Sequence, residues 1–251
     1  MQHVEPSRQI SRARTWGGAA AWLCALAGAA GCALEQKMSM EIIDAPLRAR
    51  GVELRAADAP RGELRLGEYQ VRTLARARST EGSPLLPEAL PRPSSFERLE
   101  FEVVPPRGPG WRGACHAQRR QARSPELAGE LDEIHDELGL ICELKAGAGA
   151  TWRIEASGDV GRGLAGELRA ADGRLVFSVE VTTRRTFVRY VDRELPIAVA
   201  QLRRGRAAAA AMLLAAPERA WLAPKLPEDE RELAVVAMVA LRLIPIDRGG
   251  V

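Results

Sequence analysis

Cys115 adjoins His116, and His135 and Cys142 follow downstream, which together make the donor set of a tetrahedral zinc site. The spacings fit no usual ligand pairing, and Cys115 and His116 would point to opposite faces of one strand. No metal site is expected. Gly161, Gly163 and Gly166 complete a G-x-G-x-x-G string, which holds a pyrophosphate only where a helix N-terminus follows. Here Glu167–Ala171 and Asp172-Gly173 continue as a hairpin, so a glycine-rich β-turn is the reading, and no H-R-D or D-F-G follows to support a kinase loop. Nucleophilic hydrolysis finds no G-x-S-x-G, S-x-x-K or H-E-x-x-H. Its only candidate bases beyond the N-terminal segment are His116 and His135, neither beside a serine in a nucleophile-elbow context. Glu130, Glu133 and Glu137 follow helical spacing and read as a solvated face. A glycosidase-type carboxylate pair remains open, because such pairs meet in space and not in sequence. No catalytic residue and no cofactor is assigned.

With 46% apolar and 27% charged residues, the 251-residue chain can bury a core. Its net charge is +3, falling to +1 without the first 31 residues, and aromatic residues are 4%. A near-neutral chain with few stacking groups is a poor nucleic-acid binder. Lysine occurs only at Lys37, Lys145 and Lys225, and asparagine is absent. This reads as GC-rich codon bias. Arg119-Arg120, Arg184-Arg185 and Arg203-Arg204-Arg206 are accordingly read as solvated turn ends ahead of contacts to anionic head groups.

Residues 1–16 are polar with Arg8, Arg12 and Arg14, and Gly17–Gly31 is an uncharged apolar run ending at Cys32. That is a signal-peptide layout, and the run is shorter than the roughly 20 residues a spanning helix needs. Ala29, Ala30 and Gly31 directly before Cys32 resemble the lipobox of bacterial lipoproteins, with Ala29 where that family usually carries Leu. The resemblance implies cleavage between Gly31 and Cys32, a diacylglycerol on the Cys32 thiol and acylation of its new amino group. Ordinary secretory cleavage near Ala30 is the alternative. Ala33 is not the acidic residue that resembles an inner-membrane retention signal, so an outer-membrane or surface destination is implied.

Of the four cysteines, Cys24 leaves with the leader and Cys32 carries lipid, which leaves Cys115 and Cys142 as a pair in an oxidising compartment. Each sits on the apolar side of an alternating segment. A disulfide and two separate buried thiols are both open, since a bridge needs α-carbons within about 7 Å.

The mature chain alternates in short segments punctuated by turn residues, which predicts antiparallel β structure. Twelve strands are expected: 51–57, 62–66, 68–78, 98–104, 111–118, 139–145, 151–156, 165–171, 174–182, 197–203, 206–213 and 219–223. Asp172-Gly173 is a hairpin signal. The segment Ala207–Leu214 also has helical composition. Ser79–Ser95, rich in Pro and Ser, reads as a loop within one domain. Leu127, Leu131, Ile134 and Leu138 recur at helical spacing after Ser124-Pro125 and stop at Gly139, predicting an amphipathic helix. A second helix over 227–242 has acids in its first turn and no polar residue from Leu233 to Leu241. Apolar all round, it must be enclosed, with Leu233, Val236, Ala237, Ala240 and Leu241 at its core.

The strand pair Gly163–Val181, the pair Pro196–Leu214 and the segment Leu226–Ile244 together resemble the tubby-like superfamily, which includes tubby, the phospholipid scramblases and the LURP-one proteins. The resemblance implies a mainly β fold with few helices, in which one antiparallel barrel of about twelve strands encloses a C-terminal helix. The expected organisation is a signal peptide at 1–31, an anchor and tether at 32–50, a barrel over 51–246 and a tail at 247–251. No residues match the phosphoinositide or calcium sites of that superfamily. The function expected is a non-enzymatic, lipid-anchored envelope module that meets the membrane through its N-terminal lipid and binds lipid or an envelope protein. A carrier of a hydrophobic small molecule and an envelope hydrolase are the rival readings.

Overall fold

The computed structural model describes residues 36–58, 63–81, 94–123, 134–147, 149–188, 193–214 and 218–244. Residues 1–35, with Gly31 and Cys32, residues 124–133 and residues 247–251 lie outside them. Helical residues 36–42 (α1) and Ala45–Arg50 (α2) precede the strands β1 (Val52–Asp58), β2 (Leu64–Leu66), β3 (Tyr69–Glu81), β4 (Ser94–Val104), β5 (Trp111–Arg123) and β6 (Ile134–Ala146). Then come β7 (Thr151–Asp159), β8 (Gly163–Ala170), β9 (Leu175–Val188), β10 (Arg193–Arg204), β11 (Ala207–Leu213), β12 (Arg219–Leu222) and the helix α3 (Glu228–Leu243). The twelve strands form a closed barrel in which each strand pairs with its sequence neighbours and β1 closes on β12. All pairs are antiparallel, so short turns suffice and no sheet edge is left open.

α3 lies on the barrel axis. Leu233 to Leu241 are each at most 2% exposed, and the helix approaches β10 and β11 on one side and β5 and β6 on the other. Both ends are tied to the rim. At the N-terminal end the Trp111 Nε1–H donates to Glu232 Oε2 at 3.0 Å, and Arg204 pairs with Glu230 at 3.0 Å. At the C-terminal end Arg242 pairs with the buried Glu218, and Arg76, itself paired with the buried Glu97, donates to the free carbonyl of Leu243. A cation suits the negative end of the helix dipole, and that carbonyl has its partner at the barrel rim.

The ring is closed by a charged seam. Arg219 on β12 and Arg55 both bond Glu53 on β1, and the Arg219 guanidinium also lies 5.3 Å from the centre of the Trp221 ring. Burial pushes the Glu53 carboxyl up, but the hydrogen bonds from Arg219 and Arg55 outweigh it and hold the group below its ordinary range.

Residues 36–50, expected as part of a tether, are instead two helices packed on the outside of β10–β12. Ile43 and Leu47 join Ile197, Val199, Ala211, Leu213 and Trp221 in a second apolar cluster. Strands β10 to β12 are thus buried on both faces. That resolves Ala207–Leu213 as strand, because small side chains let covers approach from both sides. The helix expected from Ser124 is corrected in part. Residues 134–138 belong to β6, which runs through Gly139 and pairs with β5 along thirteen positions. Leu138, Leu140, Cys142 and Leu144 point inward in a period of two, and this cross-strand pairing overrides the local helical spacing. The loop read over 79–95 is narrower, since β3 reaches Glu81 and β4 starts at Ser94. Among the described residues, no helix is long and apolar enough to cross a membrane.

Val236→Asp sets an unpaired carboxyl on the barrel axis, a penalty of several kcal/mol against a total stability of about 5–15 kcal/mol. The variant is expected to lose cooperative unfolding in urea, and a cooperatively folded Val236→Asp protein would show that the helix is exposed. Because the Glu53 pKa is lowered on folding, its contribution is complete above about pH 4.5 and is lost as the pH falls through the lower native value. Stability measured from pH 6 down to pH 3 should therefore fall less steeply for Glu53→Gln than for the parent.

Candidate functional site

A groove of about 1340 Å³ lies across the outer faces of β3 to β8. Strand alternation and register build it. The outward positions Gln118, Gly139, Ser157 and Ala165 stand opposite one another on β5, β6, β7 and β8. Three of the four are small, so this row forms a floor. One step along the strands, His116, Ile141, Glu155 and Glu167 make the next row. A β-carbon at Gly139 would meet nothing within 4 Å, so open space lies above the floor. A second hollow of about 630 Å³ shares Gln118, Gly139 and Ser157 and continues toward Arg120, Glu137 and Asp159.

The groove walls are charged and balanced. Arg153 pairs with Glu155 at 2.6 Å, Arg169 with Glu167 at 2.5 Å and Lys145 with Glu143 at 3.7 Å. Glu155 and Glu167 face each other across β7 and β8, and each is neutralised by the arginine two residues away on its own strand. Ile141, 43% exposed, and the half-buried Phe96, opposite Gln118 on β4, are large apolar side chains in this setting. Small floor, apolar contact and paired charges suit the binding of an extended segment or a head group.

Cys115 and Cys142 are directly opposed on β5 and β6, with α-carbons 4.0 Å apart, and are joined by a disulfide. Both face the core, at 1% and 0% exposure, while His116 turns outward into the groove. Neither sulfur is thus a free thiolate. Among the described residues, no group of three His, Cys, Asp or Glu side chains could hold a metal. His135 belongs to β6. Gly161 lies in the β7–β8 turn and Gly163 opens β8 with φ +125°. A β-carbon at Gly166 would strike the β7 backbone. The string thus serves a hairpin and no helix follows it.

Two of the three arginine clusters lie within strands and not at turn ends, while the third keeps its turn-end place. Arg119 and Arg120 lie within β5, where they pair with Asp136 and Glu137 of β6. Arg184-Arg185 lies within β9. Arg203 and Arg204 end β10 and pair with Glu180 and Glu230, and Arg206 lies in the following turn. The central helix residues Leu233, Val236, Ala237, Ala240 and Leu241 all lie in the core. The groove floor was not legible as a site: Gly139 read as a helix stop, and the small residues of four strands align only through register.

The bridge closes a loop with a sequence separation of 27, and chain-entropy reasoning puts its contribution at about 3–4 kcal/mol. Denaturation of Cys115→Ala/Cys142→Ala, compared with the oxidised parent, should show a loss of that order. An unchanged midpoint would mean that the unfolded chain is already held together by other means. Comparison of the chain with known families, curated proteins and solved structures finds no match.

Proposed function

We propose that the protein is a lipid-anchored component of the bacterial envelope that works by binding and not by catalysis, with the groove over β5–β8 as its contact surface for another envelope component. The observation that carries this reading is the position of α3. A barrel that carries a small hydrophobic molecule keeps its ligand on the axis, and here Leu233–Leu241 occupies that space. Binding is thereby moved to the outer face, where the groove offers a hollow of about 1340 Å³.

Support for the envelope comes from the sequence around Cys32 and from the disulfide, which is favoured in an oxidising compartment. The closed ring around a C-terminal helix supports a relationship to the tubby-like barrels. The absence of an acidic residue at Ala33 favours the outer membrane or the cell surface.

Two experiments test the reading. Cys32→Ala should abolish acylation of the mature N-terminus, read by mass, and release the protein from the membrane fraction. An unchanged mass and fractionation would remove the anchor. A photo-crosslinking residue at Ile141 of the full-length protein, in cells, should give a discrete adduct that the same residue at the exposed Lys225 does not. Equal labelling from both positions would show that the groove is not the contact surface.

A further inference from the structure

We propose that the β10–β12 side of the barrel is the side held against the membrane, and that the groove consequently faces away from the lipid surface. This rests on the lipid-anchored reading above and adds an orientation to it.

The argument begins with chain length. Only Ala33, Leu34 and Glu35 separate Cys32 from Gln36, where the described helical stretch begins. Four α-carbon steps reach at most about 14 Å. The far end of that span is attached to the barrel wall, because Ile43 and Leu47 are buried against the outward side chains of β10, β11 and β12. Polar contacts fix the same helices. Gln201 Nε2 donates to the Ile42 carbonyl at 3.4 Å, and Arg48 donates to the Met40 carbonyl at 2.6 Å. An acyl chain on Cys32 therefore hangs close beside this wall and not on a free tether.

Ring order supplies the second half. β11, at the centre of the helix-covered wall, lies six strand steps from β5, which carries Gln118, and three from β8, which carries Ala165, so the middle of the groove floor, on β6 and β7, is four to five steps away. Strands spaced about 4.8 Å apart put that middle roughly 19–24 Å from β11 around the ring, more when the strands tilt. That exceeds the reach of the four-step link. The barrel cannot turn its groove to the bilayer without pulling α1 and α2 from their apolar seat. A groove so directed is open to a partner from the aqueous side, so the partner it fits is a soluble segment or the exposed part of another envelope protein.

The test uses the full-length, acylated protein in vesicles of phosphatidylethanolamine and phosphatidylglycerol that contain a nitroxide-labelled lipid. Environment-sensitive fluorophores are attached at Lys37→Cys or at Gln118→Cys, both exposed positions. Quenching is expected to be several-fold stronger at position 37. A Gly/Ser insert of about twenty residues between Leu34 and Glu35, with a reach of roughly 25 Å, should erase most of that difference. Equal quenching at the two positions in vesicle-bound parent protein, or stronger quenching at position 118, overturns the orientation and leaves the anchor intact. A protein that carries no acyl group by mass and does not float with vesicles overturns the anchor and this inference with it.

Discussion

The mutual enclosure of α3 and the closed sheet is the constraint on which the rest depends. A helix apolar on every face has no stable position on the surface of a sheet, where half of it would meet water. Burial of a single Val or Leu side chain contributes roughly 1.5–3 kcal/mol, and Leu233–Leu241 gains this all round only if strands surround it. The sheet has the reciprocal need. A ring of twelve strands is too wide for its own side chains to fill with small residues such as Ala200, Ala210 and Ala220, and the helix supplies the missing volume. The fit is close. Glycine at 113 is required because any β-carbon there would strike the fully buried ring of Phe101 on the neighbouring strand.

The polar groups follow from that enclosure. The C-terminal end of the helix meets the rim, where Arg76 donates to the Leu243 carbonyl and Arg242 pairs with Glu218. Placing charge so near the core is tolerable only when each cation has an anion. Glu97 and Glu218, both 7% exposed, supply them. The same logic leaves the two outer walls with different roles. The β10–β12 wall is made of small and apolar outward residues and is covered by α1 and α2. The opposite wall carries paired charges and a floor of Gln118, Gly139, Ser157 and Ala165, so it stays in water and is hollow.

Legibility tracked the range of the interaction. All twelve strands were readable because alternation is a local consequence of having one face buried, and Asp172-Gly173 marked a hairpin whose turn has Gly173 at φ +84° and Arg174 N–H bonded to the Asp172 carboxylate. The error over 134–138 arose where two periods coexist. Ile134 and Leu138 satisfy a helical spacing, while Leu138 also begins the run Leu138, Leu140, Cys142, Leu144. Thirteen paired residues across β5 and β6 decide that competition, and no local window contains them. Arg119 and Arg120, read as turn ends, follow the same rule: only strand register brings Asp136 and Glu137 opposite them.

By itself the sequence determined the strand count and the apolar C-terminal helix, because each is written in contiguous residues. Only the tertiary structure decided that β1 closes on β12, that Cys115 meets Cys142, that residues 36–50 cover one wall and that four distant small residues make a groove. Those features depend on register between strands far apart in the chain, and register is set by the closed ring as a whole and by no single segment of it.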